Sequence, residues 1–282
     1  GPLKWYYAHA SVGGNMMDGI ADLRALGTNL HRFRGGSASS SPPATTHNGV
    51  IYEHNRGNPG WQAKFTQFQT CVSNGWRFPR INLAMNKLCY IDQTANLTAY
   101  LNSISALESA FPETVFVYMT IPLMNATDSD NRLRNVFNDG VRDWVRAGHR
   151  VLFDIADIEA HDTTGAACTY TSNGRVCQRL CPAYTDDGGH LNTLGRQLVA
   201  RGFYALAAAL LTADRDADGL SDARELIAGT VPTDVQSNFQ FTQAGRPGAG
   251  GFALQWTSAT NRLYTLQRGL NEIGRASCRE RV

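Results

Sequence analysis

The stretch WYYAHASVGG, from Trp5 to Gly14, joins an apolar run to a serine followed by two glycines. The segment Leu3–His9 is rich in the aromatic residues that favour a strand, and Asn15–Leu26 carries apolar residues at helical spacing. Ser11 therefore lies where a strand turns into a helix, which predicts an α/β unit. Ser11 is either a nucleophile at the tip of that strand or the first residue of an ordinary turn.

Strand-like and helix-like segments continue to alternate as far as residue 211. Further strands are predicted at Val50–His54, Ile81–Ile91, Thr114–Ile121 and Arg150–Ala156. Further helices are predicted at Trp61–Val72, Thr94–Ala110, Arg132–Ala147 and Leu191–Leu211. The Ser- and Pro-rich segment around Gly35–Ser39 is predicted to be a linker. This order predicts right-handed βαβ units and a parallel sheet covered on both faces, in a three-layer α/β/α domain.

In a parallel sheet, reactive groups gather at the carboxyl ends of the strands. This rule places Ser11, the loop Asn55–Gly60, Asn86 and the loop before Leu191 on one rim. In that last loop, TDDGGHLN, Asp187 precedes His190 by three residues. Such an aspartate can turn back and hold the imidazole, as in a Ser-His-Asp triad. The alternative is a His190 that only caps the helix beside a solvated Asp187.

Serine after the first strand and Asp187-x-x-His190 before the last helix resemble the SGNH (GDSL-like) hydrolase superfamily, over residues 4–211. His9–Gly13 takes the place of the Gly-Asp-Ser-Leu block, as in divergent members that begin His-x-Ser-Val-Gly. Asn55–Gly60 matches the family's Asn-x-Gly-x-x-Gly loop. Ala84–Lys87 falls where the family has Gly-x-Asn-Asp, although only the asparagine is kept.

The resemblance implies a flavodoxin-like serine esterase that needs no cofactor for catalysis. Ser11 is the implied nucleophile, His190 the general base and Asp187 the acid that orients it. The backbone N–H groups of Ser11 and Gly60 and the side chain of Asn86 are the implied oxyanion donors.

The segment DRDADGLSDARE, Asp214–Glu225, follows a twelve-residue calcium-loop pattern. The expected ligands are Asp214, Asp216, Asp218, the Leu220 carbonyl, Asp222 and Glu225. A solvated acidic linker is the alternative. The segment resembles EF-hand-like calcium repeats, similar to those of thrombospondin type 3, that link modules in secreted bacterial proteins. That resemblance implies a structural Ca²⁺ ion with no part in ester hydrolysis.

Four regions are predicted along the chain: a hydrolase domain at 1–212, a calcium-binding linker at 213–236, a truncated β-rich module at 237–271 and a terminal segment at 272–282. In the module, Phe252–Trp256 and Tyr264–Gln267 alternate as strands. The terminal segment, EIGRASCRERV, resembles a translated sequencing adapter. It is therefore left out of the fold prediction, and it suggests a bacterial sequence from metagenomic DNA.

Cysteine usage bears on the compartment of the protein. Cys168, Cys177 and Cys181 share one loop and predict one disulfide in an oxidising environment, whereas a zinc site with His190 is the alternative. Cys89 is predicted to be a buried thiol, and the role of Cys71 is open. With the calcium loop, these residues favour a secreted, periplasmic or cell-surface protein whose signal peptide the sequence lacks.

Charge and hydropathy exclude two classes of partner. The net charge is +2 and no basic block is present, so nucleic acid is not an expected partner. No apolar run reaches the roughly 20 residues that a transmembrane helix needs.

The predicted function is a secreted serine esterase that removes O-acyl groups from carbohydrate, with lipid or short-chain esters as the second substrate class. A calcium-dependent surface or polysaccharide-binding protein on an inactive SGNH fold is the alternative from another class. A complete C-terminal module is expected to attach the protein to polysaccharide or to a cell surface.

Overall fold

The structure is a computed structural model that describes residues 3–28, 31–239, 241–245, 253–258, 262–267 and 275–280. Its contacts divide these residues into two compact units, one that ends at Ala207 and one that begins at Ala208. The first unit contains a central sheet and the second contains the acidic loop, one short helix and short strands.

Six parallel strands form the central sheet, in the order β2-β3-β1-β4-β5-β6. They are β1 (Lys4–His9), β2 (Arg34–Ser37), β3 (Val50–Asn55), β4 (Leu83–Asn86), β5 (Val115–Met119) and β6 (Val151–Phe153). The accompanying helices are α1 (Val12–Ala25), α2 (Trp61–Ser73), α3 (Leu97–Ala110), α4 (Ser129–Ala147), α5 (Ile155–Glu159) and α6 (Thr193–Thr212). The prediction of a parallel α/β/α domain is confirmed.

Alternate residues of β1 pack on opposite faces of the sheet, as expected for a strand that is buried on both sides. Tyr6 faces α2 to α4 and stacks on Phe68 and on Trp76, with ring centroids 6.0 and 4.6 Å away. Trp5 and Tyr7 face the other way and contact Phe203 of α6 at 5.4 and 5.6 Å. Both layers of helices are thus anchored on one strand.

The register of β1 brings three segments of the predicted site to the same edge. Ala8 lies opposite His54 of β3 on one side and Asn86 of β4 on the other. The ladder extends past the strand ends, because the Arg56 N–H donates to the His9 carbonyl and the Lys87 N–H donates to the Ala8 carbonyl, each at 3.0 Å. The segments after β1, β3 and β4 therefore leave the sheet side by side.

Three predicted segments differ from the structure. Ile81–Ile91 is not one strand: β4 ends at Asn86, and Tyr90–Asp92 forms a 3₁₀ turn closed by the Cys89 N–H, which donates to Asp92 Oδ2 at 2.7 Å. Arg150–Ala156 stops being a strand at Phe153, because Asp154 caps α5.

The segment Gly35–Ser39, predicted to be a linker, lies partly in the edge strand β2. A Cβ on Gly36 would come within 2.9 Å of Val50 Cγ1, so this glycine allows the close approach of β2 to β3. The composition of this segment alone indicated a loop, but its backbone pairs with β3 and most of it forms a strand.

The loop after α5 contains a hairpin and the predicted disulfide. The strands β7 (Thr169–Ser172) and β8 (Arg175–Gln178) pair antiparallel. Cys168 and Cys181 are bonded, whereas Cys177 is a buried free thiol, as are Cys71 and Cys89. The disulfide uses two of the sulfurs that the alternative zinc site required, so that site does not form.

The second unit contains α7 (Asp222–Ala228) after the acidic loop. Its strands β9 (Phe241–Gly245) and β10 (Ala253–Trp256) pair antiparallel, as do β11 (Arg262–Gln267) and β12 (Arg275–Glu280). The two predicted strands of the β-rich module are present, although Phe252 lies outside the described residues. β12 falls within the segment 272–282 that the fold prediction left out. No helix among the described residues is long and apolar enough to cross a membrane.

Two adjacent glycines of α1 give a matched test of this packing. A Cβ on Gly13 would lie 2.4 Å from His9 Cβ, whereas one on Gly14 would meet no atom within 4 Å. We expect Gly13→Ala to lower the free energy of unfolding by about 1–3 kcal/mol, because the overlap forces a backbone shift. Gly14→Ala should raise it by about 0.5–1 kcal/mol, since alanine is the better helix former. Urea denaturation measures both, and equal effects would contradict the packing described for Gly13.

Candidate active site

Ser11 is the N-cap residue of α1, directly after the central strand. Its φ of 54° and ψ of −119° lie in a region that residues with a side chain rarely adopt. Its side chain makes no capping hydrogen bond to the helix. The strained turn therefore presents Oγ at the edge of the sheet, with its hydroxyl proton available to another partner.

That partner is His190. Ser11 Oγ and His190 Nε2 are 2.7 Å apart, and His190 Nδ1 lies 2.7 Å from Asp187 Oδ2. A hydroxyl that donates to Nε2 and an Nδ1–H that donates to the carboxylate satisfy all three side chains. The structure thus joins Ser11, His190 and Asp187, residues 179 positions apart at their extremes, in one chain of hydrogen bonds.

The loop before α6 fixes the aspartate. Asp187 Oδ1 accepts hydrogen bonds from the N–H groups of Gly189 and His190, at 2.9 and 2.7 Å. These backbone donors, and then the His190 side chain, hold the pKa of Asp187 well below its usual range. Gly188 makes the turn at a φ of 89°. The carboxylate therefore stays ionised and keeps its second oxygen for the imidazole.

Two further contacts hold this loop against α1 and against the segment between β5 and α4. The Leu191 N–H donates to Asn15 Oδ1 of α1 at 3.2 Å, and the Asn125 N–H donates to the Gly188 carbonyl at 2.8 Å. The first contact ties the segment carrying His190 to the helix that Ser11 begins. The distance between Ser11 Oγ and His190 Nε2 is therefore supported by contacts on both sides of the loop.

The proposed oxyanion donors lie on the same rim. Ser11 and Gly60 are the N-cap residues of α1 and α2, and neither N–H donates a hydrogen bond within the part of the chain that the structure describes. Free N–H groups at helix N-termini favour negative charge. Asn86 ends β4 and is buried, and its Oδ1 accepts from Arg56 Nη2 at 3.1 Å. Its Nδ2 makes no hydrogen bond to a described residue and is the free donor.

Two other residues lie near Ser11 and were not predicted from the sequence to belong to the site. The Tyr90 ring meets the His190 ring edge-on, with centroids 5.6 Å apart. Burial alone would raise the pKa of the Cys89 thiol, but the Lys87 ammonium, the Ile91 N–H and the nearby Asn58 and Ser11 side chains lower it overall. Tyr90 and Cys89 follow β4 in a segment predicted to be strand, so no pattern in the sequence indicated that they turn back toward Ser11.

The acidic loop of the second unit brings three of the predicted calcium ligands close together. Oxygen atoms of Asp214, Asp216 and Asp218 all lie within 4.8 Å of one another. Glu225 is buried, and burial followed by the charges of Asp216 and Asp218 raises its pKa to about 8. One buried oxygen each of Asp216, Asp218 and Glu225 lacks a hydrogen-bond partner among the described residues.

Asp222 does not join this group. Its Oδ2 accepts from Arg215 Nε at 2.6 Å, and its Oδ1 accepts from the Arg215 N–H at 3.1 Å. The sequence pattern could not show this, because it does not say where the arginine of the loop points.

Comparison with known proteins gives remote likenesses. No protein-family model matches the chain, and no curated protein gives a significant match. An α/β hydrolase enzyme, LAE5, from the metagenome of Lake Arreo in Spain is 13% identical, with a TM-score of 0.49 over 74% of this chain and 96% of that one. A GDSL-like lipase from Bacteroides thetaiotaomicron is 11% identical, with a TM-score of 0.48 over 73% and 88%. Such weak likenesses carry no weight for function, which has to be judged from the site itself.

Reaction with a fluorophosphonate tests this site without knowledge of a substrate. We expect stoichiometric phosphonylation at Ser11, because His190 takes the hydroxyl proton as Oγ attacks phosphorus and fluoride leaves. Asp187→Asn should slow the labelling by about 10²–10⁴-fold, as loss of the orienting carboxylate does in serine triads.

The rate is followed by intact mass, and the labelled residue by peptide mapping. Asp186→Asn is the matched control, since Asp186 bonds to Asn192 and not to His190, and it should label like the wild-type chain. Labelling spread over several serines would contradict activation of Ser11.

Proposed function

We propose that the chain is a serine esterase of the SGNH (GDSL-like) type that hydrolyses carboxylic esters. The observation that carries the proposal is the hydrogen-bonded series from Ser11 Oγ to His190 Nε2 and from His190 Nδ1 to Asp187 Oδ2, at 2.7 Å each. A helix-capping role for His190 would not require either contact.

The chemistry follows from these contacts. His190 accepts the hydroxyl proton while Ser11 Oγ attacks the acyl carbon, and Asp187 stabilises the imidazolium that forms. The tetrahedral intermediate collapses, and the leaving alkoxide takes the proton from His190. Water then attacks the acyl-enzyme with His190 again as the base, and the carboxylic acid and free Ser11 are released.

Negative charge on the carbonyl oxygen needs fixed donors. The Ser11 and Gly60 N–H groups and Asn86 Nδ2 are suited to this role, since none of them donates to a described residue. The loss of one such donor typically lowers kcat by about 10²–10³-fold.

The proposed substrates are O-acyl groups on carbohydrate. The side chains of His190 and Asp187 are 42% and 56% exposed, so the triad is open to solvent and can receive a bulky, polar leaving group. The disulfide Cys168–Cys181 supports a secreted, periplasmic or cell-surface location, where acylated polysaccharides occur. In this proposal the C-terminal module serves attachment to such a surface.

Hydrolysis of 4-nitrophenyl acetate by the wild-type chain and by Ser11→Ala tests the esterase. We expect Ser11→Ala to lose at least about 10³-fold in kcat, because the nucleophile is gone. Ser109→Ala, which changes an exposed serine of α3, should keep full activity. Equal rates in wild type and Ser11→Ala, with both folded, would favour a binding protein on an inactive fold.

The same assay separates the substrate classes. Acetate release from an acetylated xylo-oligosaccharide should exceed the hydrolysis of a 4-nitrophenyl palmitate at equal concentration. Faster hydrolysis of the palmitate, if it is lost in Ser11→Ala, would support the esterase function but make lipid the substrate class in place of carbohydrate.

We also propose that the loop Asp214–Glu225 binds a structural Ca²⁺ ion. Support comes from the three clustered carboxylates and the unpartnered buried oxygens of Asp216, Asp218 and Glu225. Asp214, Asp216 and Asp218, the Leu220 carbonyl and Glu225 would provide the oxygen ligands that Ca²⁺ prefers. Asp222 can contribute only through water or after release from Arg215.

Calcium should stabilise the chain, because a ligand that binds only the folded state raises the unfolding free energy, by about 2.7 kcal/mol at 100 times Kd. We expect Ca²⁺ to raise Tm relative to EDTA, and Asp216→Asn to abolish the rise. Asp234→Asn, at an exposed aspartate outside the cluster, should retain it. Esterase activity below Tm should be the same with Ca²⁺ and with EDTA. A Tm that is the same with Ca²⁺ and with EDTA would indicate that the loop is a solvated acidic linker.

A further inference from the structure

We propose that Arg56 is a positioning residue for catalysis: its guanidinium holds the Asn86 side chain so that Nδ2 is presented to the oxyanion. This inference rests on the proposed esterase function and adds to it a residue with no assigned role.

Arg56 is anchored at both ends. Its N–H donates to the His9 carbonyl at 3.0 Å, which fixes its backbone beside the end of β1. Its Nη2 donates to the Lys87 carbonyl at 2.6 Å and to Asn86 Oδ1 at 3.1 Å. One nitrogen therefore holds both the backbone and the side chain at the corner where β4 ends.

The contact decides which way the Asn86 amide points. A guanidinium can only donate hydrogen bonds, whereas an asparagine amide has an accepting oxygen and a donating nitrogen. If the amide turned over, its NH₂ group would face the N–H of Arg56, and the hydrogen bond would be replaced by repulsion. Oδ1 is thus held on Arg56, and Nδ2 is left as the free end.

The charge of Arg56 has no carboxylate partner among the described residues, which sets it apart from its neighbours. Lys64, buried nearby, forms an ion pair with Asp92, and His9 contacts Glu53 at 3.2 Å. Arg56 Nε and Nη1 are shielded from solvent and lack any described hydrogen-bond partner. Shielding part of a guanidinium from solvent without a counter-charge is costly, and a purely structural cation would be expected to have one.

The positive charge of Arg56 assists catalysis through its hydrogen bond to the Asn86 side chain. Hydrogen bonding to a charged donor polarises the Asn86 amide and makes its Nδ2–H a stronger donor. This effect is larger in the transition state than with bound ester, so Arg56 should act on kcat and leave KM nearly unchanged.

A double-mutant cycle tests the inference with 4-nitrophenyl acetate as substrate. We expect Asn86→Ala to lower kcat by about 10²–10³-fold and Arg56→Met by about 10–10²-fold. If Arg56 acts through Asn86, Arg56→Met should lower kcat by less than about threefold in the Asn86→Ala background. Multiplicative losses would overturn the inference.

A second substitution guards against loss of folding. Asn86→Asp keeps an oxygen for Arg56 but replaces the free donor with an acceptor. It should lose as much kcat as Asn86→Ala while its Tm equals or exceeds the wild-type value. Arg142→Met, which breaks an ion pair with Asp154, is the matched control. It should lower Tm with kcat within about twofold of wild type.

Binding of butylboronic acid, which forms a tetrahedral adduct on serine, provides a readout besides turnover. Its Ki should rise by the same factor as kcat falls in Arg56→Met, while KM stays constant. A changed KM with an unchanged Ki would make Arg56 a substrate-binding residue and overturn the inference.

The two proposals fail in different ways. If wild type and Ser11→Ala hydrolyse esters equally slowly, the esterase itself is refuted. If hydrolysis depends on Ser11 but Arg56→Met and Asn86→Ala retain wild-type kcat, the esterase stands and the positioning role of Arg56 is wrong.

Discussion

The parallel pairing of β1 with β3 on one side and β4 on the other is the constraint on which the site depends. Ala8 is opposite His54 and Asn86 at once, so the chain segments after the three strands leave the sheet from one edge. A shift of one residue in either pairing would turn the buried aromatic residues of β1 to the wrong faces. Since Tyr6 and Trp5 anchor opposite helix layers, core packing and site geometry are fixed by the same register.

Rigidity at Ser11 and at His190 comes from different sources. Ser11 is held at a positive φ by the turn from β1 into α1, with Gly13 packed against His9. His190 is held by backbone N–H groups that bind Asp187 and by the contact between Leu191 and Asn15. A positive φ in a residue with a side chain costs about 1–3 kcal/mol and persists only where surrounding contacts enforce it. In this structure the strained residue is Ser11, whose Oγ faces the His190 imidazole.

Periodicity predicted the parallel sheet, and the sheet placed Ser11 and the loop before Leu191 on one rim. The meeting of Ser11, Asp187 and His190 in a triad was implied by the resemblance to the SGNH family, because the spacing of Asp187 and His190 alone left a helix-capping role open. The sequence did not predict β2, because its glycines are typical of a linker and only the pairing with β3 shows that the segment is a strand. Nor did it predict that Ile81–Ile91 breaks at Asn86, because apolar residues in a buried turn look like those of a strand. The partners of Arg56 and Asp222 depend on side-chain directions that no local pattern encodes.

The charges around Ser11 differ between its two sides. Asp187, on the His190 side, is ionised and partly exposed. Lys87 is buried, and burial lowers its pKa to about 8, while its Nζ donates to the Leu88 carbonyl at 3.0 Å and reaches the Ala10 carbonyl at 3.5 Å. Burial raises the pKa of Glu159, a nearby carboxyl group, also to about 8.

Arg56, and Lys87 below its pKa, are cations near the end of β4. In the proposed acyl transfer, positive charge would develop on His190 and negative charge on the carbonyl oxygen. The Asp187 carboxylate beside the imidazole would stabilise the positive charge on His190. The cations near Asn86 would stabilise the negative charge on the carbonyl oxygen. Charges that would be unfavourable for the stability of an ordinary core are thus arranged to favour the separation of charge that the proposed ester hydrolysis requires.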